Sequence, residues 1–284
     1  PFAGGAGVAI ELLEKKVVSK IVINDLDKGI YSFWRAILEE TDKFLEQVNT
    51  IPLTIADFDR EKETVTIIYQ KVGYSSNLLS NKEEGDYLED FVGPLGVPSP
   101  LEYTDKKIIG VAGGLGAAPI YPQLKKLAEM GVKVDVIIGG RSKDFVILED
   151  QFREFCENVY VCTDDGSYGE KGFVTVVLQE LLDKGEDYEE CIAIGSLGMM
   201  NGVVNVTKPA GLRTMVSLNP LMIDGTGMCG CCRVTVGGEM KFACVDGPDF
   251  DGFKVDFKEC MERQNFFKDK EQEMNDHACK IGRG

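Results

Sequence analysis

KIIGVAGGLGAAPIYPQLKKLAEMG, residues 107–131, switches hydrophobic period partway along. KIIGVAGG is a short apolar run that ends in glycines, as a buried strand does. APIYPQLKKLAEMG spaces its apolar residues as a helix does, and Gly131 closes it. The same alternation continues through KVDVIIGG, DFVILEDQFREFCE, NVYVCTDDG, GFVTVVLQELLDKG and ECIAIGS. Strand and helix taking turns over 105–215 predict a parallel sheet flanked by helices, an α/β domain suited to a dinucleotide.

Gly113, Gly114 and Gly116 fall between the first strand and its helix, with Pro119 at the helix start. Residues without side chains let backbone approach a pyrophosphate, and a helix N-terminus favours its charge. The spacing is not a strict GxGxxG, and a glycine-rich strand end is weak evidence alone. IIGGRSKD and VCTDDGSYG repeat the theme at the next two strand ends. Arg141 could hold a phosphate there, and Asp164 or Asp165 a ribose or amide; each alone is more often a turn residue. Arg141 with Lys143 could also accept a 2′-phosphate, which leaves NAD against NADP open.

Outward from this core the texture changes. Residues 1–50 read as helix, strand, helix, with a long amphipathic segment IYSFWRAILEETDKFLEQV. Over 51–104, TVTIIYQKV alternates like a strand, VGYSSNLL turns into a short helix, and DYLEDFVGPLGVPSP ends in a proline-rich linker. That stretch predicts part of a small antiparallel barrel. Residues 216–256 carry a cysteine-rich turn and the hairpin VTVGGEMKFACV, and 257–284 read as a polar C-terminal tail.

The totals narrow the function classes. Hydrophobic residues make up 44% of 284, enough for real cores, and no run of eighteen apolar residues could span a membrane. PFAGGAGVAIELLEKK lacks the features of an export signal, so a cytoplasmic, reducing compartment is expected, with metal or redox use of the nine cysteines rather than disulfides. Thirty-one basic against 47 acidic residues give a net charge of −16, which disfavours general nucleic-acid binding. The single histidine, His277, sits in the polar tail, so histidine triads and multi-histidine zinc sites are excluded.

DGTGMCGCCRVTVGGEMKFAC, residues 224–244, contains the pattern D-x4-C-x2-C-x11-C, formed by Asp224, Cys229, Cys232 and Cys244. Plant-type iron–sulfur sites use C-x4-C-x2-C and a distant cysteine. Here an aspartate stands in the first place, and a carboxylate can ligate iron. Gly225, Gly227 and Gly230 free the backbone to wrap a cluster, and Cys231 is spare. A zinc knuckle or reduced structural thiols are the alternatives.

From IPLTIADFD through VGYSS, VGPLG, GGLGAAPIYP, GGRSKD, TDDGSYGEKGFVT and SLNPLMIDGTGMCG to KFACVDGP, the chain resembles the small subunit of the NADH-dependent reduced ferredoxin:NADP oxidoreductases, also called a sulfide dehydrogenase subunit. That family is related to the electron-transfer subunit of dihydroorotate dehydrogenase. The resemblance implies a ferredoxin reductase-like fold: a partial flavin-binding antiparallel barrel over 51–104, a parallel α/β dinucleotide-binding domain over 105–215, and a small iron–sulfur subdomain over 216–256. It implies FAD, NAD(H) and a 2Fe–2S cluster, the last held by Asp224, Cys229, Cys232 and Cys244. Pro52, Leu53 and Thr54 match the segment along the flavin, and Gly73, Ser75 and Ser76 its pyrophosphate turn. Gly113, Gly114 and Gly116 match the dinucleotide loop. The implied partner is a larger flavin and iron–sulfur subunit in a heterodimer, reaching ferredoxin through that subunit.

Residues 1–50 instead resemble the start of Dam-like adenine-specific DNA methyltransferases, with PFAGGAG matching the S-adenosylmethionine loop and INDLD the acidic strand end. The chain contains no DPPY, that family's usual catalytic tetrapeptide, so the segment is expected to be non-functional in methylation. The junction near 48–52 reads as a splice that replaces the opening barrel strands, and Thr50 stands where the reductase family usually has arginine. The expectation is an electron-transfer flavin and iron–sulfur subunit. A methyltransferase fragment and a flavin-less iron–sulfur interaction module are its rivals.

Overall fold

The computed structural model describes residues 53–88 and 91–265. The 1–50 segment with Thr50, together with Pro52 and His277, lies outside the described residues.

A two-stranded antiparallel hairpin opens the described chain, β1 (Ile55–Asp59) with β2 (Thr64–Ile67), followed by the short helix α1 (Tyr74–Leu79). Residues 91–104 form no helix or strand. The central domain then alternates β3 (Lys107–Gly113), α2 (Ala117–Glu129), β4 (Val134–Gly140), α3 (Glu149–Arg153), β5 (Asn158–Thr163), β6 (Glu170–Lys171), α4 (Val174–Asp183), β7 (Tyr188–Ile194), α5 (Leu197–Ala210) and β8 (Arg213–Ser217). A second hairpin, β9 (Arg233–Val236) with β10 (Glu239–Phe242), leads through α6 (Ala243–Asp246) to β11 (Asp249–Asp251) and α7 (Phe257–Gln264). The seven-stranded sheet runs β11–β8–β7–β3–β4–β5–β6, parallel throughout except for β11.

The inner strands are nearly all apolar because both sheet faces are covered. Alternate residues of β3 serve different layers. Ile109 and Val111 pack with Leu178, Met200 and Val203 under α4 and α5. Ile108 and Ala112 pack with Ile120, Leu124 and Phe152 under α2 and α3. The amino-terminal edge is sealed by a buried carboxylate, Asp135. It accepts from the Tyr188 hydroxyl at 3.0 Å and from the Asn158 backbone and side-chain nitrogens at 3.1 and 3.0 Å, with Lys107 Nζ at 3.4 Å. Burial first, and then the Asp135 charge, push the Tyr188 hydroxyl pKa upward. Every partner there is the first residue of a strand, so this edge is a clamp and leaves the opposite edge for ligands.

Three expectations need correction. Residues 257–264 are not tail: Asp256 caps α7 by accepting from the Glu259 amide at 2.9 Å, and Phe257 and Cys260 are buried in the main core. The helix expected over 144–157 is interrupted. Leu148 takes a left-handed φ of 61°, so a 3-10 turn at 143–145 precedes a five-residue α3. The DFD of β11 was not foreseen as a strand, and it closes the sheet antiparallel to β8.

Candidate functional site

Chain leaving β3 crosses to β4 on one side, whereas β7 and β8 lie on the other, so the sheet reverses its winding order at the β3–β7 boundary. Ligands bind in the crevice outside the carboxyl ends of strands at such a point. Gly113 ends β3, and a 3-10 turn over Gly114–Gly116 feeds the N-terminus of α2. The glycines do different jobs. Gly114 has φ +54° and faces open space, so a side chain there would meet no protein atom within 4 Å. A Cβ on Gly116 would overlap the Ile194 carbonyl, so this glycine lets α2 approach β7. Gly195 and Ser196, at the end of β7, complete the crevice and were missed as candidates. Gly195 lies against the Gly113 backbone, and Ser196 caps α5 by accepting from the Met199 amide at 3.2 Å. Their signal was the IGS ending an apolar run before a helix.

A broad cleft runs from the β1–β2 hairpin across these strand ends to the cysteine loop. Leu53, Thr54, Gly113, Gly114, Gly116, Arg141, Asp164, Asp224 and Cys244 all line it. Lys125 ties the hairpin to α2 by an ion pair with Asp57 at 3.3 Å. Asp165 does not line the cleft. Its carboxylate accepts from the Ser167 amide at 2.9 Å, and hydrogen bonding from Ser167 holds its pKa below the usual value. Lys143 lies over the Tyr168 ring, 5.2 Å from its centroid. Gly73, Ser75 and Ser76 stand at the first turn of α1 and are not among the cleft-lining residues. The Ser76 hydroxyl is engaged within that turn, accepting from the Val72 and Gly73 amides at 3.0 Å and donating to the Gly73 carbonyl at 3.0 Å.

The cysteine loop presents its four donors as two pairs. Asp224 and Cys229 form the first: the Cys229 amide donates to Asp224 Oδ2 at 3.0 Å, and Cys229 Sγ lies 3.3 Å from Oδ1. Cys232 and Cys244 form the second, their sulfurs 3.1 Å apart and unbonded. Gly225, Gly227 and Gly230 all have positive φ and carry the loop around the first pair. The Ala243 amide donates to the Cys232 carbonyl at 3.1 Å, which brings the second pair together across the hairpin. Burial would raise the Asp224 pKa, but donors from Thr226 and Cys229 outweigh it and hold the carboxyl below its usual value. Burial, and then the neighbouring Cys232 sulfur, push the Cys244 thiol up to about 12. Cys231, outside both pairs, is raised to about 11 by burial and by Cys229.

Among the described residues, no three His, Cys, Asp or Glu side chains converge as a single metal ion requires. Two pairs match the two protein ligands that each iron of a two-iron cluster takes. Every cysteine among the described residues is a free thiol, and coordination to iron would displace the thiol protons. No helix among the described residues is long and apolar enough to cross a membrane.

Residues 219–256 match the iron-sulfur cluster binding domain of dihydroorotate dehydrogenase B. Residues 1–87 match the D12 class N6 adenine-specific DNA methyltransferases, a span that passes the expected junction and includes β1, β2 and α1. A Clostridium beijerinckii protein, described as an uncharacterized protein in the adh 3′ region, is 53% identical, the alignment covering 80% of this chain and 79% of that one. A dihydroorotate dehydrogenase B (NAD(+)) electron transfer subunit homolog from Thermotoga maritima is 42% identical over 80% of this chain and 79% of its own. The solved structure of an NADH-dependent reduced ferredoxin-NADP oxidoreductase that performs flavin-based electron bifurcation superposes with a TM-score of 0.74. It is 41% identical and covers 80% of this chain and 81% of that one. The chain is an oxidoreductase electron-transfer subunit with a ferredoxin reductase-like fold, and it belongs to the dihydroorotate dehydrogenase B electron-transfer subunit family.

Proposed function

We propose that the chain passes electrons between NADH, a flavin and a 2Fe–2S cluster, as the smaller member of a heterodimer whose larger flavin and iron–sulfur subunit meets ferredoxin. The observation that carries this reading is the pairing of Asp224 with Cys229 and of Cys232 with Cys244, inside the span that matches a cluster-binding domain. When bound, the nicotinamide and flavin exchange hydride, and the cluster takes single electrons.

The chain's own residues bind and orient. Gly114 gives a dinucleotide pyrophosphate access to the backbone, Gly113 lets the end of β3 lie against Met199 of α5, and Gly116 sets α2 so that its N-terminal amides face the pyrophosphate. Arg141, exposed at the end of β4, supplies a cation beside that loop, with Asp164 across from it on the next strand end. Leu53 and Thr54 line the flavin side of the cleft. The relatives' names favour NAD over NADP.

The methyltransferase match at 1–87 supports a second reading, transfer of a methyl group to DNA. The chain has no DPPY and carries a net charge of −16, so it lacks both the base clamp and the basic surface that reaction needs.

The deciding experiment is anaerobic purification with iron, sulfide, zinc and flavin analysis. About two irons and two sulfides per chain are expected. Cys232→Ser should abolish the cluster, while Cys231→Ser leaves it in place. Stoichiometric zinc, or equal loss in both variants, overturns the assignment. Iron without flavin would instead support a cluster-bearing interaction module.

A further inference from the structure

α7 lies beyond the 219–256 span that matches the cluster-binding domain, yet two of its side chains hold the cluster loop. Arg263 Nη2 donates to the Cys231 carbonyl at 3.1 Å, and Gln264 Nε2 donates to the Asn219 carbonyl at 3.1 Å. Those two acceptors bracket the whole turn that contains Asp224 and Cys229. The helix is itself fixed, by the Asp256 cap and by Phe257 and Cys260 buried in the core that includes Val234 of β9.

The guanidinium sits unusually. Arg263 Nε is buried with no hydrogen-bond partner, and among the described residues no carboxylate forms an ion pair with it. Burial, and then repulsion from Arg233, lower its pKa from the usual arginine value. Arginine nonetheless stays charged in proteins. The guanidinium is partly buried, and the nearby Glu259 charge does not offset burial and Arg233, so a further anion close by would favour it. Two irons with two sulfides, three thiolates and a carboxylate form a net-anionic group, and its loop is the one that Arg263 holds.

We propose that Arg263 is a positioning residue for the cluster: it fixes the Gly230–Cys232 turn through the Cys231 carbonyl and sets a positive charge beside the iron-binding loop that raises the reduction potential. This rests on the reading of Asp224, Cys229, Cys232 and Cys244 as iron ligands. Reduction adds negative charge, so a nearby cation favours the reduced form, and net charge and hydrogen bonding are established determinants of cluster potential. For charges roughly 10 Å apart in a protein, the interaction is on the order of a tenfold change in the equilibrium.

The test is an anaerobic redox titration of the intact holoprotein, followed by visible absorption and electron paramagnetic resonance. Arg263→Gln removes the charge and keeps a donor. It should hold iron and lower the reduced-to-oxidised ratio at fixed potential about tenfold, a shift of about 59 mV for one electron. Arg263→Lys keeps the charge and should stay within about threefold of wild type. An iron-loaded Arg263→Gln protein with an unchanged potential overturns the proposal. Should that variant fail to hold iron, Arg263→Lys decides: wild-type iron and potential support the proposal, and loss of iron there too overturns it. Absence of iron from the wild-type protein is a separate result, which overturns the ligand reading itself and this inference with it.

Discussion

Gly114 and Gly116 are two residues apart in one loop, yet the structure gives them opposite vulnerabilities. Gly116 has φ −59°, which any residue adopts, but a Cβ there would overlap the backbone of Ile194. The obstruction is main chain in a central strand, so it yields only if α2 retreats from β7. Overpacking of this kind costs about 1–3 kcal/mol, and a rigid backbone obstacle puts Gly116→Ala near about 3 kcal/mol. At roughly 2–4 °C per kcal/mol for a domain of this size, the melting temperature should fall by about 6–12 °C. Gly114 has φ +54° with nothing within 4 Å of a Cβ. Asparagine tolerates that conformation well, so Gly114→Asn should lower the melting temperature by less than about 3 °C. Its side chain would nevertheless occupy the proposed pyrophosphate position, and NADH affinity should drop at least about tenfold. Thermal unfolding and NADH titration on both variants check the pair. Wild-type NADH affinity in a folded Gly114→Asn protein, or a Gly116→Ala protein that melts with wild type, would refute the division of roles.

Two further outcomes follow from buried polar groups in the central sheet. Glu190 is mostly buried, and its pKa is raised by that burial despite the Arg213 guanidinium 3.0 Å away. A raised folded-state pKa gives stability that is complete below the ordinary value of 4.5 and is lost as pH rises. Glu190→Gln should therefore gain on wild type in melting temperature from about pH 4.5 toward neutrality, and a gap that narrows over this range would contradict the sign. Tyr188→Phe deprives the buried Asp135 carboxylate of its 3.0 Å hydroxyl donor. The cost should be about 2 kcal/mol, roughly 4–8 °C in thermal denaturation, and a fall below about 1 °C would show that the hydroxyl is dispensable.

The parts of the fold legible in the sequence share one property: their burial imposes a period. Strands covered on both faces must be apolar throughout, and the helices over them must repeat at three and four, so β3, β4, β5, β7 and their helices stand out. β11 has no such signature, because three residues at a sheet edge, two of them aspartate, read like any polar turn. α7 was hidden for a related reason. FKECMERQ is half charged, and only Phe257 and Cys260 are fully buried, too few positions to reveal a period. The cysteine spacing was legible, and the structure adds which donor faces which. Ser76 carries a different lesson. The motif singles out its hydroxyl, and the fold adds the bonds by which that hydroxyl shapes its own turn. The interruption at Leu148 has no sequence signal, since a left-handed leucine is not written in composition or period.

The position of the cysteine loop in the chain bears on how electrons would be passed. It is an insertion between β8 and β11, adjacent strands of one sheet, and not a separate domain at the end of a linker. The Leu218 amide donates to the Pro248 carbonyl at 2.9 Å, so the two ends of the insertion are bonded together where they leave the sheet. β8 is next to β7, and β7 is next to β3, whose glycines form the proposed dinucleotide loop. One parallel ladder therefore carries both the entry to the cysteine loop and the Gly113–Gly116 turn. A domain joined through a flexible linker would let the separation of those loops fluctuate, whereas a shared ladder fixes it through backbone hydrogen bonds that break only when the sheet does. Among the described residues the β1–β2 hairpin shares no ladder with that sheet: β1 packs along α2, with Ala56 buried, and adds the Lys125–Asp57 pair. Side-chain packing and a half-exposed ion pair constrain position less than a shared ladder does. Relative motion in this subunit should therefore concentrate at the flavin side of the cleft, with the cysteine and dinucleotide loops moving as one body.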